Sequence, residues 1–195
     1  MGETDLHRDA MVRHIELLKR FFQDQLVYVS GDLLVYYEQG NPRKFVVPDA
    51  FVVKGLKQVR RRTFRIWNER IPPHFVLETT SKKTKNKDLK DKPSIYASIG
   101  VREYFLFDPT SDYLDPPLQG NRLVNGVYCR INPEVDGALV STELGLKLAL
   151  VSDELEFFRI DTGERLLTAE EARSIAEAEI VRLQEQLRML REKEL

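Results

Sequence analysis

Two carboxylates each interrupt an apolar, strand-like run, Asp49 in VVPDAFVV and Glu78 in HFVLETTS, and this pattern constrains the chain more than any other. Side chains alternate across a strand, so Asp49 shares a face with Val47 and Phe51, and Glu78 shares one with Val76 and Thr80. Burying an isolated carboxylate is costly and two neighbouring ones repel, so a fold that uses both strands needs a cation or some other compensation. A divalent metal is one solution: Mg2+ takes oxygen ligands, keeps several waters and is held by one or two carboxylates together with substrate phosphates. Ordinary structure is the other, with Asp49 ending or bulging a strand edge after Pro48 and Glu78 paired with Arg65 or Lys83. Spacing alone leaves both open.

Around these acids the chain reads as one globular body with an appendage. Met11, Ile15, Leu17, Leu18, Phe21 and Phe22 recur at helical spacing, which predicts an amphipathic helix over 7–24. Three strand candidates follow, LVYVSGDLLVYYEQ, KFVVPDAFVVKG and HFVLETTS, rich in β-branched and aromatic residues and separated by Gly, Asn and Pro. The polar KKTKNKD segment leads into a helix near 88–98 closed by Gly100, and VREYFLFDP reads as a buried strand. The order is helix, three strands, helix, strand, in an α+β mixed sheet. Beyond residue 110, short apolar runs between turn residues predict hairpins that extend or cover that sheet.

From Leu167 to Leu195 the chain changes character, with no Gly or Pro and with Ala176, Ile180, Leu183, Leu187 and Leu190 in alternating steps of four and three. Those steps match a heptad seam, and Thr168 with Glu171 forms a capping-box pattern at its start. The expected organisation is a domain over 1–166 and a coiled-coil helix over 167–195, the latter a candidate route to a homodimer.

Thirty basic and thirty-one acidic residues leave a formal net charge of −1, so any pull on a polyanion has to come from local patches. One such patch is Lys54, Lys57, Arg60, Arg61, Arg62 and Arg65, with Phe64 and Trp67 close behind, a set able to contact phosphates and stack on a distorted base or simply to form a solvated loop. A single cysteine, Cys129, excludes an internal disulfide framework and a cysteine-rich zinc site. No apolar run approaches the roughly 20 residues of a membrane span, and the start lacks a signal-like stretch, so a soluble, cytoplasmic protein with no membrane partner is expected. His7, His14 and His74 have no metal-ligand spacing, although His7 is placed to approach the acids from the first helix.

PDAFVV at 48–53, FVLETTSKKTKNKD at 75–88, the Asp88, Lys92, Tyr96 spacing and GVREYFLFDP at 100–109 resemble the Uma-two family of restriction endonucleases, a branch of the PD-(D/E)XK nuclease superfamily. The likeness runs over most of residues 5–170. It implies a restriction-endonuclease-like αβββαβ core and Mg2+-dependent phosphodiester hydrolysis, with Mn2+ able to substitute. Carried over by residue, Asp49 and Glu78 match the metal ligands. Lys92 matches a catalytic lysine moved from the strand to the following helix, since Thr80 stands where many such nucleases carry lysine. Asp88, Ser81 and Tyr96 fall on other motif positions; read without the family, Tyr96 is a core-edge aromatic.

Pro93 directly follows Lys92 and disfavours α conformation there, which places Lys92 at a helix start and keeps Lys90 as a second candidate for the lysine role. The functional expectation is a metal-dependent DNA endonuclease, homodimeric, using Asp49, Glu78 and Lys92. The competing expectation is a catalytically inactive nuclease-like module that binds nucleic acid or protein and oligomerises through its tail.

Overall fold

The computed structural model describes residues 4–193. The chain opens with α1 (Asp5–Phe21), β1 (Val27–Ser30), β2 (Val35–Tyr36), β3 (Phe45–Val46), β4 (Ala50–Lys54), β5 (Phe64–Arg65) and the short α2 (Ile66–Glu69). It continues through β6 (Phe75–Thr79), a π-helical turn (Lys87–Asp91), α3 (Lys92–Ile99) and β7 (Glu103–Phe107). After these come β8 (Leu118–Val124), β9 (Val127–Arg130), β10 (Leu139–Ser141), β11 (Leu146–Val151), β12 (Glu154–Arg159) and α4 (Ala169–Lys193).

The central sheet runs β1-β4-β6-β7-β8-β9. Its β6–β7 pair is parallel and its other pairs are antiparallel. A parallel pair needs a crossover, and here the helical segment from Lys87 to Ile99 supplies it. Alternation then sorts the side chains. Ala50, Val52, Phe75 and Leu77 face α1, where Leu17, Leu18 and Phe22 meet them, and the β10-β11-β12 sheet closes this layer with Leu146, Leu148 and Phe157. Phe51, Val53 and Val76 face the opposite way, toward Tyr96 of α3.

The αβββαβ order expected from the sequence is α1, β1, β4, β6, α3, β7. LVYVSGDLLVYYEQ departs from expectation by splitting: β1 joins the central sheet, whereas β2 pairs with β3 and β5 in a small separate one. Gly31 makes the break, because a Cβ there would stand 1.9 Å from the Asp49 carbonyl oxygen and 2.5 Å from Ile15. The first helix runs over Asp5–Phe21 rather than 7–24, opened by Thr4, whose hydroxyl accepts from the His7 N–H at 3.3 Å.

At α4 the capping box is reciprocal: the Thr168 N–H donates to Glu171 Oε2 at 2.7 Å and the Glu171 N–H donates to Thr168 Oγ1 at 3.1 Å. Arg13 and Arg165 grip both Glu156 and Glu171, tying the first turn of α4 to α1 and β12. Further along, Ile180, Leu183, Leu187 and Leu190 are exposed. No helix among the described residues is long and apolar enough to cross a membrane.

Candidate active site

The pairing of β4 with β6 sets Ala50 opposite Leu77, and one step further along the two strands Asp49 comes beside Glu78. The Asp49 N–H points at Glu78 Oε2 at 3.3 Å, and the Thr79 N–H donates to Asp49 Oδ2 at 2.7 Å. Two acids twenty-nine positions apart in sequence thus become backbone neighbours.

The crossover brings the third group. Lys92 Nζ lies 2.8 Å from Glu78 Oε2 and 2.9 Å from Asp88 Oδ1. Lys92 takes αR geometry (φ −61°, ψ −40°) despite the following Pro93. The pyrrolidine has no N–H to give and crowds the carbonyl four residues back, and the wider π-turn over 87–91 is a local geometry that relieves both demands. Its last bond runs from the Lys92 N–H to the Lys87 carbonyl. Lys92 points its ammonium inward at Glu78 and Asp88, while Lys90 is exposed.

Tyr96, one turn beyond Lys92, is fully buried and donates its hydroxyl to Glu78 Oε1 at 2.6 Å. Tyr104 packs against its ring and donates to the Asp88 carbonyl at 2.8 Å. Asp88 is 1% exposed, and among the described residues its carboxylate oxygens have no partner beyond the ion pair with Lys92. From the other side of the sheet, His7 Nε2 comes within 3.4 Å of Asp49 Oδ2.

Burial governs the electrostatics. Glu78 is 0% exposed, and desolvation pushes its carboxyl up to about 8 even though Lys92 pulls the other way. Burial by itself would lower Lys92, but Glu78 and Asp88 more than offset it and hold the ammonium above its ordinary value. The Tyr96 phenol is raised well above its usual range, first by burial and then by Glu78.

The residues fit a hard divalent cation. Both candidate ligands are carboxylates, and Glu78 keeps one lone pair, on Oε1, after accepting from Tyr96, Lys92 and the Asp49 N–H. Asp49 keeps 18% of its side chain exposed, on the open side of the pair. Among the described residues no group of three or more His, Cys, Asp or Glu is placed to hold a metal ion. A two-carboxylate site that leaves the remaining positions to water and phosphate is the pattern Mg2+ favours.

Other sequence candidates land elsewhere. Glu78 pairs with Lys92 and Tyr96, and Arg65 is exposed on β5. Ser81 bonds with Thr84 through both its N–H and its hydroxyl, shaping the turn after β6. Phe64 is 0% exposed, stacked in the core with Tyr28 and Phe51, so it is not available to a base. Lys54 pairs with Glu143, and Arg61 pairs with Glu69 while lying 4.1 Å over the Tyr28 ring. His14 is a core residue edge-on to Phe107 and Phe157. Bare sequence reasoning missed Asp88 as the second partner of Lys92, although an acid four residues before a lysine is a signal for a helical pair.

A mixed sheet with α1 on one face and the α3 crossover on the other, carrying two acids and a lysine where β4, β6 and α3 meet, is the restriction-endonuclease-like arrangement. The chain belongs to the Uma2 family, described as "Putative restriction endonuclease", which it matches over residues 1–153. No curated protein matches it. Among solved structures it is similar to "a putative nuclease belonging to DUF820 from Anabaena variabilis ATCC 29413", with 12% identity, 74% of this chain and 76% of that chain covered, and a TM-score of 0.55. At that identity the likeness speaks for the fold.

Proposed function

We propose that the protein is a metal-dependent DNA endonuclease in which Asp49 and Glu78 hold Mg2+, with Mn2+ as a substitute, and Lys92 assists. The observation that carries this reading is the approach of a lysine to the strand-borne acids: Lys92 Nζ is 2.8 Å from Glu78 Oε2, and the same oxygen lies 3.3 Å from the backbone nitrogen of Asp49. Membership of a family described as restriction endonucleases supports the same reaction class. Bound by the two carboxylates, the cation supplies Lewis-acid charge at the phosphate and lowers the pKa of a bound water. In hydrolysis the water oxygen bonds to phosphorus, one bridging P–O bond breaks, and the departing oxygen takes up a proton. No covalent enzyme intermediate forms.

Lys92 holds its ammonium where negative charge grows on the non-bridging oxygens as the pentavalent state develops. Tyr96 fixes the far oxygen of Glu78 and so orients the carboxylate. Asp88 keeps the lysine charged when Glu78 carries a proton. The β4–β6 pairing and one crossover bring these residues near one another.

The test is incubation of the purified chain with supercoiled plasmid and single-stranded DNA in Mg2+, Mn2+ or EDTA. Nicking in metal, its loss in EDTA, and its loss in Asp49→Asn and Glu78→Gln are expected. Absence of cleavage on every DNA form, with wild-type melting indifferent to millimolar Mg2+ and Mn2+, overturns the reading in favour of a non-catalytic binding module.

A further inference from the structure

A cavity of about 300 Å³ lies beside His7, which contacts Asp49. His7 and Thr80 form its inner wall, Leu6 and Tyr113 flank it, and Lys82 and Lys83 stand at its rim. It shares that wall with the candidate active site: His7 lies 3.4 Å from Asp49 Oδ2, and Thr80 follows directly on Thr79, whose N–H binds the same oxygen. Thr80 is 1% exposed, and its hydroxyl has no hydrogen-bond partner among the described residues. Lys85 holds its ammonium 5.6 Å from the centre of the Tyr113 ring. An aromatic ring, an unsatisfied buried hydroxyl and a cationic rim thus converge beside the carboxylate.

We propose that this cavity receives the base of one unpaired nucleotide next to the scissile phosphate, so that the preferred substrate is single-stranded DNA; the proposal rests on the nuclease reading above. Its size is at the small end of ligand pockets, roughly 300–1,000 Å³, and suits a single nucleoside rather than a base pair. Tyr113 offers a stacking face, the Thr80 hydroxyl meets a polar base edge, and the rim lysines follow the backbone, the combination used to hold single strands without reading sequence. Depth argues the same way. Glu78 is 0% exposed and the Asp49 side chain 18%, so the phosphate has to descend into the molecule. A duplex, stiff over about 150 base pairs, bends into such a recess far less readily than an unpaired strand.

The experiment measures binding by the full chain in EDTA, so that no cleavage is required, using an oligonucleotide that carries 2-aminopurine at successive positions, alone or annealed into a duplex. The single strand should bind at least about tenfold more tightly, with emission quenched at one position. Tyr113→Ala should weaken single-strand binding by roughly 5- to 150-fold, the range for losing one base–aromatic stack, and abolish the quench, while Tyr113→Phe retains both. Leu6→Trp, a change at a half-exposed position, should block the cavity and weaken the single strand in the same way if Tyr113→Ala alters folding. Equal affinity for both DNA forms, or wild-type binding by Tyr113→Ala and Leu6→Trp, overturns the cavity assignment. Plasmid nicking that persists alongside that result leaves the nuclease reading standing, whereas selective single-strand binding without nicking upholds the cavity and defeats the nuclease reading.

Discussion

Lys92 Nζ sits 2.8 Å from Glu78 Oε2, bridging a helix and a strand at a point where the carboxylate has been fully removed from water. The position two residues past Glu78 holds no lysine. Here the crossover helix delivers one, and the strand position is left to Thr80, which turns toward the adjoining cavity. The π-turn before Pro93 sets the approach, and Asp88 gives the ammonium a second anion 2.9 Å away.

Lys92→Met should therefore do two things. Cleavage should be lost, and in EDTA the protein should be destabilised by about 3–5 kcal/mol near neutral pH, because Asp88 is left buried without its cation. Millimolar Mg2+ should recover part of that loss. Lys90→Met, at an exposed position, should change neither property. Chemical denaturation of both variants with and without Mg2+, beside a nicking assay, separates the two lysines. A Lys92→Met protein as stable as wild type would show that the pair contributes nothing net to the fold.

The basic segment between β4 and β5 divides into two groups. Lys54 and Arg61 are committed to Glu143 and Glu69, whereas Lys57, Arg60, Arg62 and Arg65 are exposed. Neutralising the exposed four should lower DNA affinity and flatten its salt dependence, since each phosphate contact on duplex DNA contributes a slope of about −0.9. Neutralising Arg61 should instead cost stability. Binding isotherms at several salt concentrations decide the matter, and unchanged slopes would return the segment to a solvated loop.

His14 supplies the acid limb of stability. Burial lowers it to about 3, with Arg13 adding to the effect, so it stays neutral in the fold and gains a proton only when the chain opens. The unfolded chain binds this proton more readily between the ordinary value of 6.5 and about 3, so the stabilisation is complete above 6.5 and is lost as pH falls through that window. His14→Phe keeps the ring contacts with Phe107 and Phe157 and removes the titration. The variant should gain on wild type by a few kcal/mol, on the order of 1.4 per pH unit, as pH drops below 6. Parallel pH dependences of the melting temperature would contradict this.

Much of this arrangement was legible because it rests on local pattern. Alternation put Asp49 and Glu78 in apolar stripes, the β-rich runs and the crossover helix gave the core order, and Thr168 with Glu171 marked the start of α4. What escaped depends on partners distant in sequence. Glu103, fully buried at the start of β7, accepts from Arg122, Ser141 and Thr142 and so joins the two larger sheets, and nothing within VREYFLFDP announces those donors. Phe64 looked like a surface aromatic because it follows a run of arginines, yet β5 pairs with β2 and turns it inward. Tyr96 looked like a core-edge ring, and only the β6–α3 packing reveals the carboxylate against its hydroxyl.

The tail carries the last expectation. Ile180, Leu183, Leu187 and Leu190 are each about half exposed, at 54%, 47%, 56% and 59%, along a 25-residue helix whose first turn is tied to the body by Arg13 and Arg165. Helices draw most of their stability from burying an apolar face, and we propose that this heptad seam does so against a second copy. A chain ending at residue 166 should keep a folded body, because Arg13 and Arg165 still pair with Glu156, and should sediment as a smaller species than the full chain. Full-length protein carrying Leu183→Glu and Leu187→Glu should behave like the truncated one, since charges in the seam oppose pairing without touching the body. If all three sediment as the same species over a range of concentrations, the seam does not drive self-association.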